Sequence, residues 1–86
     1  MRENFSNTTE QEIEKFYADV AMKVKQLRTD ANMTQLDLSL EIGIKSVAFY
    51  SNCENNRYGK HFNLEHIYKI AKVFNTPLSL FFSTIS

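Results

Sequence analysis

The sequence has few of the residues that interrupt helices or crosslink a chain. Its 86 residues include two glycines and one proline, and this scarcity of turn residues favours helices joined by short links. With 43% hydrophobic residues, the chain has enough apolar material for one small domain. Cys53 is the single cysteine and cannot form an internal disulfide, so we expect a reducing, cytoplasmic location.

Long apolar runs are also missing. No segment approaches the length of a membrane span, and the polar, acidic start lacks the basic residues and apolar core of a signal peptide. We therefore expect no membrane association.

The residue types that usually carry catalysis or bind metals do not form a recognisable set. His61 and His66 are five residues apart, without cysteines or carboxylates at metal-ligand spacing, so we expect no metal site. Cys53 falls on the inward face of a predicted helix and is interpreted as a small core residue rather than a redox group. Neither a nucleophile–base pair nor a glycine-rich phosphate loop is present. We predict that the protein is not an enzyme and uses no cofactor.

The formal net charge is zero, but the charges are unevenly distributed. Residues 1–19 contain two basic and five acidic residues, whereas residues 20–86 contain eight basic and five acidic ones. We interpret residues 1–19 as an acidic N-terminal extension, flexible at its start and then continuous with the first helix. Residues 20–86 are interpreted as one mildly basic domain, which is compatible with nucleic-acid binding.

Apolar residues recur at three- and four-residue steps in the first part of the chain, which is typical of an amphipathic helix. Thr9 and Glu12 have the spacing of a capping box, so this helix is predicted to begin after Thr9 and to continue to about Thr29. Its apolar stripe comprises Ile13, Phe16, Tyr17, Val20, Val24 and Leu27.

Two short helices are predicted next, separated by a glycine. Thr34 is expected to cap the second helix, with Asp37 favouring its N-terminus, and Gly43 is expected to end it in a left-handed conformation. Ser46 is expected to cap a third helix over residues 47–54. The inward residues of that helix are predicted to be Tyr50 and Cys53.

The remaining chain predicts a loop and two more helices. Residues 55–62 are a polar loop, and Asn63 is expected to cap a fourth helix over residues 64–74. Thr76-Pro77 opens a last short helix, since proline is favoured at the first helical position. The apolar face of the fourth helix is predicted to be Leu64, Ile67, Ile70, Ala71 and Phe74. The predicted fold is therefore all-α, with five helices in a compact domain and an extended N-terminal helix.

An ordered set of short motifs runs along these helices. It consists of Val20-Ala21, Val24 and Leu27-Arg28, then Thr34-Gln35, Leu38-Ser39 and Gly43-Ile44, then Tyr50-Ser51 and Cys53-Glu54-Asn55, then Leu64-Glu65, Ile67 and Lys69-Ile70-Ala71. This set resembles the Cro and phage-repressor (XRE-type) family of helix-turn-helix DNA-binding proteins over roughly residues 20 to 82. The resemblance implies a domain similar to that of lambda repressor, whose third helix lies in the DNA major groove.

The resemblance also implies which residues face DNA. One extra residue separates Gly43 from the core position Tyr50, so the turn is longer than the commonest form and the third helix is registered backward from Tyr50 and Glu54. On this register the base-facing residues are Val47, Ala48 and Asn52. Apolar side chains suit thymine methyls, and an asparagine suits adenine. The residues expected near phosphates are Gln35, Lys45, Ser46, Ser51, Asn55, Arg57, Tyr58 and Lys60.

A structural ion pair and a dimer interface are expected on the same basis. The family pairs a glutamate at the end of the third helix with an arginine at the end of the first, which here implies a pair between Arg28 and Glu54. An apolar cluster off the inward face of the last helix predicts a two-fold interface. Its members are Leu80, Phe82 and Ile85.

The N-terminal extension continues the apolar stripe of the first helix beyond the usual family start. We expect it to pack on the domain or on a partner subunit, where it would cover Leu36 and Leu40. These leucines occupy positions of the second helix that are usually polar in the family.

Together these features predict a cytoplasmic transcriptional regulator that binds a palindromic operator in double-stranded DNA as a homodimer, for example as a repressor. The alternative is a protein-interaction module or an antitoxin of the same fold, with weak or no independent DNA binding and a protein partner. The zero net charge, the apolar Val47-Ala48 pair and the acidic extension support that alternative. DNA binding tested at low and moderate salt discriminates between the two.

Overall fold

The computed structural model describes residues 7–82, and over that range every regular element is helical. The elements are α1 (Glu10–Asp30), α2 (Gln35–Glu41), α3 (Val47–Glu54), α4 (Leu64–Phe74) and a C-terminal 3₁₀-helix (Leu78–Phe82). The all-α prediction is confirmed, but the predicted fifth α-helix is a 3₁₀-helix, so the α-helices of the described range number four. The flexible start predicted for residues 1–8 lies largely outside the described residues.

The 3₁₀ geometry of the last element follows from its length and from Pro77. The backbone N–H of Leu80 donates to the carbonyl oxygen of Pro77 at 3.1 Å, which is an i to i+3 hydrogen bond. A segment of five residues does not offset the cost of nucleating an α-helix, so the tighter and shorter helix forms.

The α-helices begin where local side-chain hydrogen bonds replace the missing backbone partners. The Thr9 hydroxyl accepts the Glu12 N–H at 3.1 Å, and the Glu12 carboxylate accepts the Thr9 N–H at 2.7 Å, which confirms the predicted capping box. Thr34 and Asp37 make the same reciprocal pair at the start of α2. Because such bonds involve residues three apart, the helix starts were predictable from sequence.

The α-helices end with a residue of positive φ, and only one of these four residues is glycine. They are Asn32, Gly43, Asn56 and Asn75. After α3, for example, the Arg57 N–H donates to the Asn52 carbonyl oxygen at 2.8 Å and the Asn56 N–H donates to the Cys53 carbonyl oxygen at 3.2 Å. This is a Schellman motif, and asparagine tolerates the left-handed conformation that it requires. Asparagines at three of the four helix ends therefore explain why the chain needs few glycines there.

One apolar core joins α1, α2, α3, α4 and the 3₁₀-helix. Its largest fully buried side chains include Tyr50, Phe81, Leu38 and Ile70. The prediction that Leu64 is inward is wrong, since 79% of that residue is exposed. Leu64 is the first residue of α4, and the buried aromatic residue beside this end of α4 is Phe62.

The N-terminal part of α1 packs on the domain, but not where expected. Phe16 stacks on Phe82 of the 3₁₀-helix, with 6.0 Å between ring centroids. Leu36 and Leu40 remain 50% and 64% exposed, so the extension does not cover them within one chain, and their coverage by a partner subunit stays a prediction. The apolar stripe of α1 faces the C-terminal 3₁₀-helix, which is itself rich in aromatic residues, rather than α2.

Candidate nucleic-acid interface

The two faces of α3 differ sharply in burial. Tyr50, Cys53 and Glu54 are buried, in agreement with the predicted inward positions of the first two. On the other side Val47 and Ala48 are exposed and Asn52 is half-buried. These three residues lie on the less buried side of α3 with the half-buried Ser51 and the exposed Asn55, and their contact with bases stays a prediction.

The turn before α3 absorbs the extra residue. Gly43 has φ of 79°, and the Ile44 N–H donates to the Ser39 carbonyl oxygen at 2.8 Å, which brings the buried Ile44 side chain back into the core. The Ser46 hydroxyl then accepts the Phe49 N–H at 3.1 Å and caps α3. Lys45 is exposed beside this cap. The longer turn thus still returns Ile44 to the core and leads directly into the cap of α3.

A buried ion pair fixes the far end of α3. The Nε and Nη2 atoms of Arg28 donate to the two carboxylate oxygens of Glu54 at 2.8 and 2.9 Å, and Nη1 donates to the Met33 carbonyl oxygen at 2.8 Å. The expected pair between Arg28 and Glu54 is thus present, in the planar two-bond geometry that makes such pairs strong. It joins the C-terminal ends of α1 and α3.

Two further side chains complete this network, and sequence reasoning missed both. The Tyr50 hydroxyl donates to Glu54 at 2.7 Å, and the side-chain amide of Gln35 donates to Glu54 at 3.0 Å. Tyr50 and Glu54 are one helical turn apart on the inward face, a spacing that signals such a contact. Gln35 was expected near phosphate, but its amide nitrogen is directed to Glu54 and its side chain is half-buried.

Electrostatics in the network favour the charged pair. The hydrogen bond to Glu54 raises the pKa of Arg28 above its ordinary value. Burial alone would raise the pKa of Glu54, but hydrogen bonds from Arg28, Tyr50 and Gln35 outweigh it and hold that pKa below its usual value. Burial and the hydrogen bond to the Glu54 carboxylate raise the pKa of Tyr50, which keeps its hydroxyl a donor.

The loop after α3 presents cations and a tyrosine to solvent. Arg57, Tyr58 and Lys60 are exposed, with Tyr58 78% accessible. Three residues of this loop have positive φ: Asn56, Tyr58 and Gly59. Asn56 follows α3 in the left-handed conformation, which asparagine tolerates.

The exposed charges of the segment that carries α3 are positive. Between residues 42 and 63 the charged residues are Lys45, Glu54, Arg57 and Lys60. The carboxylate among them is buried and neutralised by Arg28. The outward face of α3 is therefore flanked by unopposed cations from its own segment, although the molecule as a whole has no net charge.

Polar side chains on this face retain hydrogen-bonding capacity. The side-chain amide of Asn55 donates to the carbonyl oxygen and the hydroxyl oxygen of Ser51, at 2.9 and 3.2 Å. Within residues 7–82 the Asn52 side chain makes no hydrogen bond. Asn52 thus lies in the middle of the outward face with its donors and acceptor available.

Over the described range, the cysteine and the two histidines do not form a common site. Burial raises the pKa of the Cys53 thiol to about 11, with Lys60 opposing the shift, so the thiolate is scarce near neutral pH. Over residues 7–82, no group of three or more histidine, cysteine, aspartate or glutamate side chains is placed to hold a metal ion. His66 instead serves the start of α4, where its Nδ1 atom accepts the Asn63 N–H at 3.1 Å. No helix of the described range is long and apolar enough to span a membrane.

The apolar cluster expected at a dimer interface is partly engaged within the chain. Phe82 is half-buried and stacks on Phe16, so it is not simply an outward residue. Leu80 is half-buried, and Ile85 lies outside the described residues. Leu78, 43% exposed, is an apolar residue of the same 3₁₀-helix that sequence reasoning did not select.

Sequence comparison assigns the family. No curated protein and no solved structure matches the chain. A family model described as "Helix-turn-helix", of the XRE type, matches residues 24–81, which is well over half of the sequence. The match contains α2, the turn, α3 and α4, the elements that build the outward face described above. The chain belongs to the XRE-type helix-turn-helix family.

Proposed function

We propose that this protein is a transcriptional regulator that binds an operator in double-stranded DNA as a homodimer. The observation that carries the proposal is the contrast across α3. Its inner face is locked by the buried network on Glu54, while its small and polar outer face is exposed between cations. This combination suits a helix inserted into a major groove, where phosphates flank base edges.

In the proposed complex, Asn52 reads a base edge and the apolar pair before it fits against thymine methyls. The Asn52 amide can donate one hydrogen bond to adenine and accept another. Val47 and Ala48 cannot hydrogen-bond to base edges through their side chains and suit the thymine methyl group instead. Phosphate contacts are assigned to groups at both ends of α3 and in the following loop. They are Lys45, Ser46, Ser51, Asn55, Arg57, Tyr58 and Lys60. Gln35 donates one amide N–H to Glu54 and keeps only the second N–H for a phosphate.

A mobility-shift assay with fragmented genomic DNA tests the proposal. Binding at low salt should decrease steeply as salt rises, since bound cations displace counterions from phosphates. A subset of fragments should remain shifted at moderate salt, which would identify operator-containing DNA. Absence of any shift at low salt would contradict DNA binding.

Dimerisation through the 3₁₀-helix is the second part of the proposal. Leu78 is exposed and Leu80 is half-buried, so this helix offers apolar surface to a second copy, and a two-fold dimer suits a palindromic operator. Sedimentation equilibrium should show a dimer at micromolar protein. Leu78→Lys with Leu80→Lys should yield a folded monomer, whereas Met22→Lys on an exposed position of α1 should not. A wild-type monomer at high concentration would refute this interface.

A further inference from the structure

The loop after α3 contains one residue, Tyr58, in a backbone conformation that its side chain does not favour. Tyr58 has φ of 56° and Gly59 has φ of 66°, so the loop contains consecutive left-handed residues, one of them aromatic. A non-glycine residue keeps a left-handed conformation when contacts from the surrounding structure hold it there. The Schellman bonds tie Asn56 and Arg57 to the end of α3, and the Lys60 N–H donates to the Arg57 carbonyl oxygen at 2.9 Å. Side-chain contacts to the loop come from α1.

One helical turn of α1 contacts both ends of this loop. At the first end, the side-chain amide of Asn56 donates to the Glu14 carboxylate at 3.2 Å, across 42 residues of sequence. At the other end, the ring of His61 stacks on Tyr17, with centroids 3.7 Å apart and ring planes 5° from parallel. Glu14 and Tyr17 are three residues apart and therefore lie on the same side of α1.

The stack on Tyr17 is what fixes the His61 ring. The Nδ1 atom of His61 is buried and, over residues 7–82, has no hydrogen-bond partner. Nearly parallel rings at this distance are in full face contact, which restrains the side chain without a hydrogen bond. The restraint is transmitted to the loop because His61 lies directly after Lys60.

The contacting turn of α1 is itself anchored to the core. Phe16, between Glu14 and Tyr17, packs against the core and stacks on Phe82. The family match begins only at Val24, so this turn precedes the part of the chain shared with the family. The long α1 thus adds a support for the loop that the matched region does not contain.

We propose that Glu14 and Tyr17 are positioning residues for DNA binding, acting through Asn56 and His61 to order the loop that carries Arg57 and Lys60. The effect on affinity rests on the DNA-binding function proposed above, whereas the ordering of the loop does not depend on it. A loop ordered before binding does not lose that conformational freedom when its cations contact phosphates, so affinity increases.

The effect on the loop is measured without DNA. In Glu14→Ala/Tyr17→Leu, amide hydrogen exchange at residues 56–61 should accelerate, and trypsin should cleave faster after Arg57 and Lys60. Core amides of α4 report any global loss of stability in the same spectra. The matched control is Glu10→Ala/Tyr68→Leu, which changes the same residue types at exposed positions without loop contacts. Unchanged exchange in the loop of the first variant would overturn the proposal.

The effect on binding is measured by fluorescence anisotropy with a short labelled duplex of mixed sequence at low salt. The double variant should bind about two- to tenfold more weakly, the effect of ordering a flexible side chain or two. Its salt slope should fall, by about one ion if one loop cation leaves its phosphate. Tyr17→Phe keeps the aromatic stack and should restore both readouts when Glu14 is intact.

The outcomes separate the two proposals. Faster loop exchange with unchanged affinity and salt slope would show that the contacts are only structural and would overturn the positioning role. A wild-type protein that does not bind the duplex would overturn the DNA-binding function and, with it, this role. Exchange in the loop would even then show whether Glu14 and Tyr17 order residues 56–61.

Discussion

The inward and outward faces of α3 are constrained in opposite ways. On the inward face, Glu54 accepts hydrogen bonds from three side chains and Tyr50 is fully buried. On the outward face, Val47 and Ala48 are exposed, and no side-chain hydrogen bond is made by Asn52 within residues 7–82. Folding thus determines one face and leaves the other available, although both belong to a helix of eight residues.

With the proposed function, this difference predicts that stability and DNA recognition depend on separate residues of the same helix. Burial and hydrogen bonds select the inward residues, and substitutions there should unfold the domain. The outward residues contribute little to packing, so substitutions there should alter DNA binding in a domain that still folds.

Removing Glu54 should destabilise the domain more than any outward substitution. In Glu54→Ala the buried Arg28 keeps its charge and loses both carboxylate bonds, which costs roughly 3–5 kcal/mol of unfolding free energy. Urea denaturation followed by circular dichroism measures the loss. The matched control is Glu65→Ala, which breaks an exposed pair with Lys69 and should leave stability almost unchanged. Equal stability of the two variants would show that the network on Glu54 is not structural.

Acid should have a related effect on the wild-type protein. The folded-state pKa of Glu54 lies below its ordinary value of 4.5, so the folded chain binds fewer protons than the unfolded chain in that range. The stabilisation is present above pH 4.5 and is lost as pH falls through the lower, folded-state pKa. Glu54→Ala should therefore show a flatter acid dependence of unfolding free energy than the wild type.

Asn52→Ala should change DNA specificity rather than stability. A well-formed contact between an asparagine amide and adenine discriminates by about 1–3 kcal/mol, so operator affinity should fall while nonspecific affinity remains nearly constant. Competition between operator and mixed-sequence duplexes gives the ratio. Gln11→Ala, an exposed amide in the first turn of α1, is the control. Operator preference that survives Asn52→Ala but disappears with loop substitutions at Tyr58 would transfer base recognition from α3 to the loop.

Lys45→Ala and Arg57→Ala should weaken binding to all sequences alike. Each removes one proposed phosphate contact, so the slope of log K against log salt should decrease by about one ion per substitution. Lys72→Ala, on α4 with its ammonium 5.9 Å from the Tyr68 ring, serves as the charge-matched control. Sequence-dependent losses would mean that these cations contact base edges instead of phosphates.

The sequence predicted local features of the fold well and long-range ones poorly. Helix starts depend on residues three apart, and the caps at Thr9, Thr34 and Ser46 were all identified. The left-handed helix end at Asn75 was missed because asparagine is less specific for that conformation than glycine. The contact between Tyr17 and His61 joins residues 44 positions apart with no shared periodicity, so only the tertiary structure shows it.

The same distinction applies to the candidate site. Arg28 and Glu54 were paired through resemblance to the family, and the outward register of α3 followed from Tyr50. The roles of Val47, Ala48 and Asn52 at base edges remain predictions. Their side chains face outward, so neither the apolar periodicity nor the contacts within the chain report what they bind. Gln35 illustrates the limit: its position suggested a phosphate contact, yet its amide nitrogen bonds to Glu54.

A weaker effect is expected for His66 of α4, which contacts Phe49 of α3. Its ring lies edge-on to Phe49 of α3 at 6.3 Å, and its Nδ1 atom accepts the Asn63 N–H, which requires that nitrogen to be unprotonated. Burial lowers the pKa of His66, so the folded state binds a proton less readily than the unfolded state, whose pKa is about 6.5. The contribution of neutral His66 to stability is complete above pH 6.5 and decreases as pH falls through the lower, folded-state pKa.

His66→Gln keeps a side chain able to accept the Asn63 N–H and should lose less unfolding free energy than the wild type between about pH 8 and about pH 5. Parallel decreases in the two proteins over that interval would show that protonation of His66 does not disturb the cap of α4, and that the edge of α3 beside Phe49 tolerates a charged neighbour.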